Sequence, residues 1–326
     1  MTEPIAMRAP TRQGVLRAAD KVAALLPPTP LVPFEIDGMT AWAKAECLQP
    51  IGAFKIRGAW HRLSELGEEE RARGVVGVSS GNHAQGVAWA ARKLGIAATI
   101  VMPRDAPAVK LDRTRALGAE VVLYDRAGED RDAVAAQVVE QRGATLVHAY
   151  ADPWVIEGQG SSGIELAAQL AAQGGGPPTR IVAPCGGGGL SAGLALACPE
   201  AEIVPVEPVG WDIIGQSLEE GHPLRVSGGP ATICDCLLAP VAREINLAVL
   251  RGRAGPGLTV TDAEVRAAMR FAFAELRLVV EPGAAAGLAA ALAGKVPVDG
   301  TTVVMVTGGN VDAARFAAVL AEREQP

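Results

Sequence analysis

The chain has 326 residues, with 30 lysines and arginines against 36 aspartates and glutamates, a formal charge of −6. That balance leaves no basic footprint for a nucleic-acid partner, and 49% hydrophobic against 20% charged residues excludes disorder as the main state. The longest uncharged stretch, residues 181–199, is long enough to raise a membrane span, but Pro184 and four consecutive glycines exclude a lipid-facing helix there.

From the N-terminus, MTEPIAMRAPTRQGVLRAAD is broken by charge every few residues and holds no apolar signal core. Beyond it, short β-type runs alternate with Ala-rich amphipathic stretches. VVGV at 75–78 leads into HAQGVAWAARKLG, ATIV at 98–101 into APAVKLDRTRALG, and EVVL at 120–123 into EDRDAVAAQVVEQRG. TLVH at 145–148 precedes a helix near 158–173. RIVA at 180–183 runs through four glycines into SAGLALA, and EIVPV at 202–206 runs into WDIIGQSLEEG. Residues 283–294 read as a tightly packed core helix, and TVVMV at 302–306 passes through TGGN into a last helix. This alternation predicts an α/β fold with two doubly wound, parallel-type sheets. Residues 74–150 are expected to form a small mobile domain, and 1–73 with 151–326 a large one, with the active site in the cleft.

Cys47, Cys185, Cys198, Cys234 and Cys236 are an odd set without framework spacing, and Cys234-Asp235-Cys236 is too short for a zinc knuckle. A reducing cytoplasm is expected, and no metal. No room is left after Asn310 for an added regulatory domain, so effector control by a C-terminal module is not expected.

Three strand-to-helix junctions and loops carry chemistry. In PCGGGGLS, Gly186, Gly187, Gly188 and Gly189 let backbone N–H groups converge without Cβ obstruction. A following helix N-terminus adds partial positive charge, so the loop suits a phosphate. Gly186 and Gly188 also begin a dinucleotide pattern, but Ser191 holds the third glycine position and Glu207 meets the acidic spacing only loosely. An NAD-dependent oxidoreductase is therefore the remote alternative. In IGAFKIRG, Lys55 sits between Phe54 and Ile56; desolvation of such an amine lowers its pKa, as a Schiff-base lysine requires. Taken alone it reads rather as a surface lysine beside a core aromatic; with a phosphate loop elsewhere, a lysine-bound phosphate cofactor is the economical combination. In SSGNHAQG, the hydroxyls of Ser79 and Ser80, the Asn82 amide and free helix N–H groups make a second anion site suited to a carboxylate; taken alone the segment reads as an ordinary helix cap, and His83 as a helix-surface histidine.

AFKIRGA, SSGNHAQG, GQGSSGIE and CGGGGLSAG, in this order, resemble the fold-type II pyridoxal-phosphate enzymes, specifically the serine/threonine dehydratase and serine racemase group. The resemblance runs from PTPL at 28–31 to TGGNVD at 307–312, and it implies pyridoxal 5′-phosphate and a homodimer. By it, Lys55 holds the cofactor and Phe54 lies against its ring. Asn82 bonds the ring hydroxyl, Gly186 to Gly189 hold the phosphate, and Thr307 stands near the pyridine nitrogen. Ser79, Ser80, Gly81, Asn82 and His83 cradle the substrate carboxylate, with Arg131 and Asp235 facing the substrate. Glu281 points towards the cofactor by the same resemblance.

Several positions depart from the family pattern. Ala53 stands where a Ser usually precedes Phe-Lys, and Thr307 where Ser is more common. Ser161-Ser162 replaces the Thr after Gly-Gln-Gly, and Ile213 stands where a second carboxylate completes a cation site with Glu207. Ser80 is the residue serine racemase uses as acid/base on the face opposite the lysine. The expected activity is removal of water from a β-hydroxy L-amino acid (threonine, serine or 3-hydroxyaspartate), giving a 2-oxo acid and ammonia. Racemisation with Lys55 and Ser80 on opposite faces is the nearest alternative.

Overall fold

The computed structural model describes residues 8–322 apart from 107 and 227; the first seven residues of the segment read as lacking a signal core lie outside them. Ten strands are present: β1 (Leu31–Ile36), β2 (Met39–Ala45), β3 (Val75–Val78), β4 (Ala98–Pro103) and β5 (Glu120–Tyr124), then β6 (Thr145–Val147), β7 (Arg180–Pro184), β8 (Glu202–Pro208), β9 (Leu258–Val260) and β10 (Thr302–Val306). They form a six-stranded sheet, β1-β2-β10-β7-β8-β9, and a four-stranded sheet, β5-β4-β3-β6. Every pairing is parallel except β1 with β2.

The seven runs expected as strands all lie in strands, with His148 just beyond the end of β6. The β1–β2 hairpin and β9 were not expected. The hairpin turns on Asp37 and Gly38, both at positive φ, which is the backbone a two-residue turn with matched twist requires. Pro33 in β1 and three alanines in β2 hide it from periodicity; Pro33 is tolerated because β1 is an edge strand. β9 is only three residues long, below the length at which a pattern repeats. The run expected as one core helix at 283–294 begins as a 3₁₀ turn, Pro282–Ala285, before the α-helix Ala286–Leu292.

Helices cover both faces of the sheets, and the core they bury is mainly Ala, Val, Leu and Ile. The helix Lys55–Ser64 lies between the two sheets. Its Ala59 and Leu63 pack with Val75, Val87 and Ile100 of the four-stranded half. Its other side meets the long helix Pro153–Ala172, where a Cβ on Gly158 would lie 2.5 Å from the Gly58 Cα. Only glycines allow that approach. Below this contact, Arg57 bonds Glu46 bidentately, with Nε to Oε2 and Nη2 to Oε1 both at 2.7 Å, and meets Glu165 Oε2 at 2.9 Å. Arg57 and Glu46 are both fully buried, so the pair fixes where this helix starts.

Candidate active site

In open parallel sheets the strand ends carrying carbonyls leave a crevice, and ligands bind there. The segments singled out in the sequence converge at such ends: Ser79 to Asn82 beyond β3, the glycine loop beyond β7, and Thr307 to Asn310 beyond β10. A fourth segment, His148 to Tyr150 beyond β6, had no sequence signal.

Lys55 opens the central helix, with its side chain partly exposed to the crevice. Its Nζ donates to the Ala149 carbonyl at 2.8 Å and lies 5.0 Å from the centroid of the Phe54 ring. Desolvation lowers the amine to a pKa of about 8. The Phe54 backbone N–H donates to the Thr307 carbonyl at 3.0 Å, joining the lysine segment to the end of β10. The Thr307 residue is buried, and its hydroxyl has no hydrogen-bond partner among the described residues.

Asn82 begins the helix Asn82–Leu94. Its Nδ2 donates to Glu281 Oε1 at 2.5 Å, and its Oδ1 accepts from Asn310 Nδ2 at 2.8 Å. Asn310 in turn donates to the Ile51 carbonyl at 2.8 Å. Burial raises Glu281 to a pKa of about 7. The second Nδ2 hydrogen of Asn82 stays available for a ligand. Gly308 leaves room for the carboxylate, since a Cβ there would lie 2.0 Å from Glu281 Oε1.

Ser79 Oγ accepts from the Gly81 N–H at 3.0 Å, shaping the turn before this helix. Ser80 and Gly81 are half-buried, and the Ser80 hydroxyl has no partner among the described residues. His83 differs from the expectation. Its ring is buried and Nε2 donates to the Val147 carbonyl at 2.8 Å, while burial lowers it to a pKa of about 3. A neutral, core-anchored ring leaves only the backbone N–H of His83 for a carboxylate. The side chain ties the helix to β6 instead.

Arg131 and Asp235 lie at the rim rather than in the centre. Arg131 is exposed, with Nε 3.5 Å from Asp132 Oδ1. Asp235 is exposed and accepts from Lys110 Nζ at 2.9 Å, an ion pair that spans from the four-stranded half to the six-stranded half. Glu207, considered for a cation, instead caps the helix Ile213–Glu220: its oxygens accept from the N–H groups of Ile214 and Gly215 at 2.9 and 2.8 Å. Ile213, where a second carboxylate was wanted, is buried in the core.

The glycine loop passes the test for a phosphate. A Cβ on Gly187 would lie 2.3 Å from the Tyr150 ring, and one on Gly189 would lie 3.0 Å from the Tyr150 Cα. The N–H groups of Gly186, Gly187 and Gly189 find no acceptor among the described residues, and the helix Gly189–Ala197 starts behind them. Three unpaired donors at a helix N-terminus suit an anion. Asn246 Nδ2 braces the loop through the Gly187 carbonyl at 2.6 Å. With an amine of lowered pKa flanked by an aromatic ring, and with Asn82 beside it, the residues present fit pyridoxal phosphate.

Comparisons with known proteins agree. A family model described as "Pyridoxal-phosphate dependent enzyme" matches residues 22–308. L-threo-3-hydroxyaspartate ammonia-lyase of Saccharomyces cerevisiae is 37% identical, the match covering 98% of both chains. The solved structure of a threonine deaminase from T.th. superposes with a TM-score of 0.85 at 40% identity, covering 93% of this chain and 99% of that one. Maize serine racemase superposes at 0.88 and 34% identity, covering 95% and 97%. With its crevice built around Lys55 and the 186–189 loop, and with relatives matched over nearly its whole length, the chain belongs to the pyridoxal-phosphate dependent enzymes of fold type II, in the serine/threonine dehydratase and serine racemase group.

Proposed function

We propose that this protein is an ammonia-lyase that removes water from a β-hydroxy L-amino acid, such as L-threonine, L-serine or 3-hydroxyaspartate, giving a 2-oxo acid and ammonia. The observation that carries this reading is the Lys55 amine, lowered to about 8 and placed at the meeting point of the glycine loop, Asn82 and the 148–150 wall. When bound, the cofactor supplies an electron sink that lets the Cα–H bond ionise.

The chain's own residues do the rest. The N–H groups at the start of the helix Asn82–Leu94, with Ser79 and Ser80 beside them, hold the α-carboxylate. The Nδ2 hydrogen of Asn82 not given to Glu281 would hold the cofactor's ring hydroxyl. Thr307 would offer the ring nitrogen a hydroxyl rather than a carboxyl, which would make the bound cofactor a weaker store of negative charge. The neutral Lys55 amine takes the Cα proton.

A second reading, amino-acid racemisation, is supported by one feature: the Ser80 hydroxyl is half-buried and unpartnered among the described residues, and so would be free to act as a proton donor. Assaying a panel of β-hydroxy amino acids for 2-oxo acid and for the D-isomer separates the two. Absence of 2-oxo acid from every member would overturn the lyase reading.

The four-stranded sheet, built wholly from segments between 75 and 147, supports 74–150 as the small domain, with 1–73 and 151–326 as the large one. Five cysteines unbonded to one another support a reducing cytoplasm, and a homodimer is proposed from the family alone. Light scattering of the purified protein tests the dimer.

A further inference from the structure

We propose that Arg243 is a specificity residue of the active site, placed to receive the second carboxylate of a dicarboxylic β-hydroxy amino acid. The inference rests on the ammonia-lyase reading and names the substrate class within it.

Arg243 comes just before the helix Glu244–Leu250, and its segment is stitched to the crevice on two sides. The Tyr150 hydroxyl donates to the Val241 carbonyl at 3.1 Å, and Asn246 holds the glycine loop. These bonds bring Arg243 against the wall formed by His148 and Tyr150, whose rings meet edge-on with centroids 4.6 Å apart. The same wall carries Ala149, the acceptor of the Lys55 amine.

Among the described residues no carboxylate answers Arg243. Its Nε is buried without a hydrogen-bond partner. Its neighbour Glu244 is taken by Arg251, with Oε2 accepting from Nη2 at 2.9 Å. Two other cations at the crevice have an acid each, Asp132 for Arg131 and Asp235 for Lys110, and Arg113 donates to Asn310 Oδ1 at 3.4 Å.

His148 cannot serve as a counter-charge, because Nδ1 accepts from the N–H groups of Ala151 and Tyr150 at 2.9 and 3.3 Å. Burial first, and then Arg243, hold that ring neutral, lowering it to a pKa of about 4. A guanidinium partly withdrawn from water, with the Tyr150 hydroxyl beside it but no carboxylate, is costly to the fold. An incoming carboxylate removes that cost, and a planar fork suits it. The α-carboxylate is taken by the helix N-terminus across the crevice, so Arg243 is left for the β-substituent. Serine and threonine bring no charge to it.

The test compares L-threo-3-hydroxyaspartate with L-serine in the holoenzyme. Arg243→Gln should lower the ratio of kcat/KM for the dicarboxylate over that for serine by about 30-fold, with Arg243→Lys recovering part of it. Calorimetry with succinate against propionate should show weaker succinate binding in Arg243→Gln. Equal losses on both amino acids would overturn the assignment.

Weakened cofactor affinity with an unchanged substrate ratio would overturn it too, since Arg243 would then serve the phosphate. If the wild type eliminates water from no β-hydroxy amino acid, the lyase reading falls on its own. The succinate comparison still decides the subsite.

Discussion

The Tyr150 ring occupies the space in which any side chain at residue 187 would have to stand: a Cβ on Gly187 would be 2.3 Å from two ring carbons. The loop that receives the phosphate and the wall beside Lys55 therefore constrain each other. Gly187→Ala should weaken cofactor binding by at least about tenfold, because either the loop or the ring must move. Adding Tyr150→Ala should recover part of that loss. Titration of cofactor into the apoprotein, followed by fluorescence, measures both. Equal affinity for wild type and Gly187→Ala would place the phosphate elsewhere.

Lys55→Ala should remove the visible absorbance of the lysine-bound cofactor and abolish turnover while leaving the circular dichroism of the fold intact. The pH dependence has a defined sign. Burial lowers the folded-state pKa to about 8, and the neutral amine is the reactive form, so cofactor capture by the apoprotein should accelerate as pH rises through about 8. A capture rate that rises only near the pKa of a solvated lysine would show that the amine is not desolvated.

Ser80→Ala separates elimination from racemisation. Elimination uses the lysine face alone, whereas racemisation needs a donor on the opposite face. D-isomer formation should fall by about 10²-fold or more while 2-oxo acid production from the L-substrate persists. Chiral chromatography of the product mixture reads the two together. Parallel loss of both activities would show that Ser80 acts through carboxylate binding.

Glu281 contributes a pH-dependent stability. Its folded-state pKa is raised to about 7, so between its ordinary carboxylate range and 7 the unfolded chain sheds a proton that the folded chain keeps. Stability from this group is present at low pH and is lost as pH rises through 7. Glu281→Gln still accepts from Asn82 and does not titrate. Thermal melts of the apoprotein from pH 5 to 8 should therefore decline less steeply in the variant. Identical slopes would assign the titration to another group.

Arg57→Met leaves the Glu46 carboxylate buried without its main partner. It should destabilise the fold by about 3–5 kcal/mol, measurable by urea unfolding. Replacing Arg57 and Glu46 together by apolar residues should cost much less.

What the sequence disclosed, and what it hid, follow from where the information lies. Lys55, Asn82 and the 186–189 loop stand out because each rests on local chemistry at a helix start: an amine among apolar residues, a cap, a glycine run. The seven strands found by pattern carry runs rich in Val, Ile and Thr, and five of them, β3, β4, β7, β8 and β10, are buried almost throughout. Tyr150, Asn310 and Arg243 escaped because their roles arise from approaches across more than thirty residues, which no spacing encodes. The anchorage of the His83 ring was hidden for the same reason. Nothing in SSGNHAQG tells that its ring will turn towards Val147, on a strand 64 positions away.

The rim and the floor of the crevice differ in how they can change over generations. Arg131 and Asp235 are exposed, each backed by a single charged neighbour. Exchanging them leaves the sheets untouched. Gly187, Gly308 and Arg57 are hemmed in by groups that have nowhere to go. Drift in a lineage of such proteins is thereby channelled: new appetites for side chains can be tried at the mouth without risking the fold, while the grip on the cofactor is passed on unaltered.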